Sequence, residues 1–157
     1  MPSSVLALIL VAAVSVAAPG VQKPAPKPAS GPRVVDISGD DTMKYSITTI
    51  TARPGERLRI RLTSKGTLPK IAMAHNVVVL KLGTNVEKFV TDGAAFRASD
   101  FIAPAHASEV IAKTTFAGPG ETVQVTFTVP SAPGRYPFLC TFSGHYQAGM
   151  KGTLVVK

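Results

Sequence analysis

From Val34 to the C-terminus the chain is a succession of short segments in which apolar and polar residues alternate, and this pattern limits the fold more than any other feature. The segments are VVDIS at 34–38, YSITTI at 45–50, RLRIRLTS at 57–64, HNVVVL at 75–80, EVIAKTTF at 109–116, TVQVTFTV at 122–129, RYPFLC at 135–140 and TLVVK at 153–157. A strand turns successive side chains to opposite faces, so Arg57-Leu58-Arg59-Ile60-Arg61-Leu62 sets three arginines toward water and three aliphatic residues toward a core. Ala52-Arg53-Pro54-Gly55-Glu56, Gly118-Pro119-Gly120-Glu121 and Ala132-Pro133-Gly134 punctuate the strands with turn-forming residues. Many short strands separated in this way predict an all-β sandwich. Thr84 to Phe101 is the exception. Val86, Phe89, Val90, Phe96 and Phe101 suit a short helix in an external flap around 84–101, and Gly93 breaks any continuous helix there.

The first 33 residues obey different rules. Val5 to Ala18 is apolar except for Ser15, and its 14 residues fit the core of a signal peptide better than a span of roughly 20 residues. Ser15 and Ala17 suit cleavage after Ala17. The leading Met-Pro-Ser-Ser lacks the usual basic residue, which keeps an uncleaved anchor open. Residues 18–33 are rich in proline and offer almost nothing to bury, so they read as an extended linker. The expected organisation is therefore 1–17 signal peptide or membrane anchor, 18–33 linker and 34–157 one domain, placed on the periplasmic or extracellular side.

Charge excludes one class of partner. Lys and Arg number 17 against 9 Asp and Glu, but Lys23, Lys27 and Arg33 precede the domain, and the remaining basic residues are scattered without interleaved aromatics. Nucleic acid binding is not expected. A single cysteine rules out an internal disulfide and leaves a buried small hydrophobe, a reactive thiol or a metal ligand.

Its surroundings favour the last. CTFSGHYQAGMKG carries Cys140, His145 and Met150 at Cys-x4-His-x4-Met spacing, between the seventh segment and the eighth. His75 stands far upstream, at the start of another strand that a sandwich can bring beside Cys140. A thiolate and two imidazoles with a weak axial thioether form the donor set of a mononuclear electron-transfer copper site. Zinc also accepts cysteine and histidine, but thioether is a poor ligand for it. His106, in Pro104-Ala105-His106-Ala107-Ser108, reads as a solvated loop residue. Met73, two residues before His75, is placed either in an apolar rim or in ordinary packing.

At these residues the chain resembles the azurin and auracyanin branch of the cupredoxins, or blue copper proteins. LPKIAMAHNVVVLKLGT, FVTDGAAF, SEVIAKTTFAGPGETVQVTFTV and YPFLCTFSGHYQAGMKGTLVV are similar to that branch's blocks in the same order. The gap between His145 and Met150 is more like auracyanin than azurin. The resemblance implies a Greek-key sandwich and one copper ion on His75, Cys140, His145 and Met150, with the Ala74 carbonyl as a weak opposite axial contact. It also implies that the Asn76 N–H donates to the Cys140 sulfur while the Asn76 side chain ties the two ligand segments together near Thr141. Ser143 replaces the proline common in azurins, which adds a backbone donor that could reach the thiolate, and the azurin disulfide has no counterpart.

The function so implied is one-electron transfer by a copper cycling between Cu(II) and Cu(I), with no catalysis. The alternative is exported copper storage or delivery. Expected partners are a redox donor and acceptor docking transiently near His145, whose ring edge should reach the surface in an apolar patch with Met73 and Tyr146, while His75 is buried. The N-terminus offers a membrane tether, and the domain is expected to be a monomer.

Overall fold

The computed structural model describes residues 31–157. The expected signal peptide or anchor and most of the linker lie outside this range. Eight strands form two sheets. A three-stranded sheet joins β1 (Arg33–Gly39), β3 (Arg57–Ser64) and β6 (Thr122–Thr128) in the order β1-β3-β6. A five-stranded sheet has the order β2-β8-β7-β4-β5, built from β2 (Thr49–Ala52), β8 (Lys151–Val156), β7 (Gly134–Leu139), β4 (Val78–Leu80) and β5 (Val110–Lys113). β1 runs parallel to β3, and β2 runs parallel to β8; every other pairing is antiparallel. The two-sheet all-β architecture with a helical excursion is the one the segment pattern predicts.

Alternation decides which face is buried. Leu58, Ile60 and Leu62 are fully buried, whereas Arg57 and Arg61 are exposed and Arg59 is half-buried. Removing each of those three side chains from water contributes about 1.5–3 kcal/mol before chain entropy is counted. They pack with Ile37, Ile50, Val79, Phe138 and Leu154 between the sheets. A second cluster, made by Val78, Leu80, Phe89, Ile102, Leu139 and Tyr146, fills the space under the flap.

Three predicted strands are shorter than their sequence patterns. Of the 45–50 segment only Thr49 and Ile50 lie in β2, which runs on to Ala52, because Tyr45 turns inward and bridges Gly39 instead. β4 starts three residues after His75, which makes a single bridge with Ala117, and a register shift follows at Val79/Leu80. Likewise β5 stops at Lys113. These departures lie around His75, where the backbone leaves regular pairing.

In the flap, α1 (Val86–Gly93) starts at Asn85, whose side chain accepts from the Lys88 N–H at 3.0 Å. The helix ends at Gly93. Two short 3-10 turns follow at Arg97–Ser99 and Pro104–Glu109. His106 is not the solvated residue expected from its loop sequence: it is 9% exposed, packs on Phe89 and lies between two carboxylates. Among the described residues no helix is long and apolar enough to cross a membrane.

Candidate metal centre

Two backbone segments bring the candidate residues together. His75 is held by reciprocal bonds with Ala117, N–H to carbonyl at 3.0 Å and back at 2.8 Å. Cys140 follows β7, and its N–H donates to the Met150 carbonyl at 3.0 Å, closing the intervening residues into a loop. Inside that loop α2 (His145–Ala148) is a single turn between Gly144 and Gly149, both left-handed with φ of 84° and 102°. Side chains rarely adopt such values, so these two glycines allow the chain to turn sharply on either side of His145.

The donors are buried and close. His75 and Cys140 are fully buried, as is Met150, and His145 is 2% exposed. The Nδ1 atoms of His75 and His145 lie 3.3 Å apart, Cys140 Sγ lies 3.5 Å from His145 Nδ1, and all three donor atoms fall within 4.8 Å of one another. Two ligands bound to one ion at about 2.0–2.3 Å are separated by no more than about 4.0–4.6 Å, and both measured contacts satisfy that limit. The Met150 methyl and the His75 ring both face Gly39, at the end of β1, where a Cβ would collide with that methyl.

Burial keeps all three donors uncharged in the absence of a metal. Burial lowers the His145 pKa to about 4, helped by His75 beside it, and burial also lowers that of His75 against the opposing pull of Asp41 and Asp40. Both imidazoles are therefore neutral, and each has one ring nitrogen free of a proton to offer a metal. Burial pushes the Cys140 thiol up to about 12, partly offset by backbone N–H groups of Asn76 and Phe142. A soft cation bound here would replace the thiol proton and satisfy both nitrogens. This chemistry fits copper.

Several expectations about the surroundings meet their geometry here. Asn76 Nδ2 donates to Thr141 Oγ1 at 2.9 Å, and the Thr141 N–H donates to Asn76 Oδ1 at 2.9 Å, so the two ligand segments are tied in both directions. The Ala74 carbonyl lies 3.9 Å from Cys140 Sγ. Ser143 is exposed, and the second N–H at the sulfur belongs to Phe142, inside the same loop. His145 does not present a ring edge at the surface as anticipated, because the Phe142 ring covers it at 4.8 Å between centroids. Tyr146 turns inward to the second cluster.

Other neighbours had no signal in the sequence pattern. Phe101 and Phe116 pack on Phe142, with centroids 5.5 and 5.7 Å from it, and extend an apolar wall away from His145. The Tyr45 hydroxyl donates to the Asn76 carbonyl.

Comparison with known proteins gives consistent results. The profile of the family described as copper binding proteins, plastocyanin/azurin family, matches residues 33–157. Azurin of Pseudomonas aeruginosa is 40% identical over 127 residues, covering 78% of this chain and 84% of that protein. Auracyanin-A of Chloroflexus aurantiacus is 33% identical over 130 residues, covering 81% of this chain and 76% of the other. Among solved structures, dithionite-reduced auracyanin from Roseiflexus castenholzii superposes with a TM-score of 0.67 at 34% identity, covering 81% of this chain and 99% of that one.

Proposed function

The chain belongs to the plastocyanin/azurin family of copper binding proteins, and from that premise we propose that it carries single electrons on one copper held by His75, Cys140, His145 and Met150. It is an electron carrier, not an enzyme. The observation that supports this reading best is the convergence of two neutral imidazoles and one cysteine in a site closed to water. Copper bound there supplies a one-electron couple between Cu(II) and Cu(I).

The protein's own contribution is rigidity. The reciprocal Asn76–Thr141 bonds, the Cys140–Met150 backbone bond and the His75–Ala117 pair hold the donors before any ion enters. A site fixed in this way changes little when one electron arrives, which keeps exchange fast. The N–H groups of Asn76 and Phe142 stabilise negative charge on the sulfur and so temper its donation to the metal. Phe142 and its aromatic neighbours exclude water from the His145 side.

The apolar N-terminal stretch supports export, and the proline-rich linker suits either a released domain or one tethered to a membrane. Donor and acceptor proteins would dock on the copper end. The loop leading into His75 leaves Leu68 and Ile71 exposed, at 45% and 74%, beside half-buried Met73. Exposed aliphatic residues of this kind suit brief contacts that form and break quickly.

Reductive titration of the copper-loaded protein tests this function against copper delivery. A carrier takes up and returns one electron per protein with the copper retained. Release of copper to a competing chelator on reduction would favour delivery instead.

A further inference from the structure

We propose that Lys44 is a positioning residue for the copper site: its ammonium clamps the turn between His145 and Met150 by donating to the Ala148 carbonyl. The inference rests on the copper reading above and assigns a role to a residue that is not a ligand.

The contact joins distant parts of the chain, since Lys44 Nζ donates to a carbonyl 104 residues away. α2 has only four residues, so its final carbonyls lack the partners a longer helix would provide. Ala148 is one of these, and it sits between His145 and Met150, two of the loop's three candidate ligands. A charged donor makes a stronger bond to a carbonyl than a neutral one does.

Both sides of the contact are shaped for it. On the donor side, the Met43 N–H closes a turn on the Asp40 carbonyl at 2.9 Å, and Met43 adopts a left-handed φ of 56° that is uncommon outside glycine. The Asp40 carboxylate accepts from the Thr42 N–H at 2.9 Å and fixes the same turn. Lys44 follows directly. On the acceptor side, a Cβ at Gly149 would collide with the Lys44 ammonium, so the glycine that permits the turn also leaves room for the lysine.

The clamp is part of a longer strap. Gly39 faces the Met150 methyl and the His75 ring, Lys44 holds Ala148, and Tyr45 holds the Asn76 carbonyl. Residues 39–45 therefore touch both ligand-bearing segments. Losing Lys44 frees one end of the strap beside Met150. It also removes a positive charge that favours the reduced, more electron-rich state of the site.

Lys44→Met, Lys44→Gln and Lys44→Arg separate these effects. Amide hydrogen exchange at Gly149 and Met150, read on the apoprotein, should quicken roughly tenfold in Lys44→Met, the loss expected for one charge-assisted bond. In the copper-loaded protein the reduction potential should fall in Lys44→Met and Lys44→Gln, with the thiolate band retained. Lys44→Arg should restore both readouts substantially. Unchanged exchange together with an unchanged potential would overturn the proposal. So would a lower melting temperature with neither readout moved, which would mark Lys44 as a stability residue only. Because exchange is measured without metal, a parent protein that bound no copper would end the copper reading and leave the clamp to be decided on exchange alone.

Discussion

Single atoms decide the shape of the site. Gly39 is the clearest case: the Met150 methyl and the His75 ring, the latter 3.4 Å from where a Cβ would stand, use the space a side chain would take. Gly39→Ala should cost about 1–3 kcal/mol by overpacking a buried contact. Denaturant unfolding of the apoprotein measures that cost, and electron paramagnetic resonance of the copper form should show an altered axial interaction. A normal spectrum and normal stability would mean the loop yields freely. Nothing in the local sequence around Gly39 announces this role, since the contact spans residues 39 to 150. The four proposed ligands stand out in the sequence for the opposite reason. Three of them share one loop whose spacing carries chemistry of its own, and His75 was the one histidine at a strand start. Phe142 lay within that loop, but a backbone donor has no side-chain signature, and the sequence pointed to Ser143 instead.

At the level of elements, charge as well as packing holds the flap. His106 Nε2 lies 2.7 Å from Asp92 on α1, and Nδ1 lies 3.0 Å from Glu109 on its own turn. Both nitrogens can donate only when the ring is protonated, and the Asp92 hydrogen bond, followed by that from Glu109, raises the His106 pKa above its ordinary 6.5. Lys88 also pairs with Asp92 at 2.7 Å and competes for the same carboxylate. The sign follows from linkage. A raised folded-state pKa stabilises fully below the unfolded value near 6.5 and loses that contribution as pH climbs through the folded value. Amide protection of α1 should therefore decline between mildly acidic and alkaline pH, and His106→Gln should flatten the profile. A parent profile already flat would contradict the pairing. The sequence suggested a short helix that does not continue through Gly93, and α1 stops there, but His106 looked solvated because its partners come from residues 14 and 3 positions away, a pairing that alternation cannot reveal.

For the whole molecule, parallel β1 and β3 both run toward the copper end, so the N-terminus enters the domain at the opposite end. A tether at that terminus would leave the copper end free for partners. Of the residues on the loop entering the site, Ile71 is the most exposed large hydrophobic. Ile71→Glu should slow electron exchange with an apolar-docking partner by roughly tenfold, the loss of a modest interface anchor. Its visible spectrum and potential should stay nearly constant. Equal rates in parent and variant would move the docking surface elsewhere. Strand content and sheet layering were readable from alternation, because a half-buried strand must repeat every second residue. Strand ends near His75 were not, because tertiary contacts with Ala117 and Gly39 override the local pattern there.

The most direct test of the account is the visible absorption of the Cu(II)-loaded domain beside Cys140→Ser. Thiolate coordination by the buried Cys140 predicts an intense blue charge-transfer band at one copper per protein, absent from the variant. A colourless parent, or a band that survives loss of the sulfur, would contradict the assignment of this site.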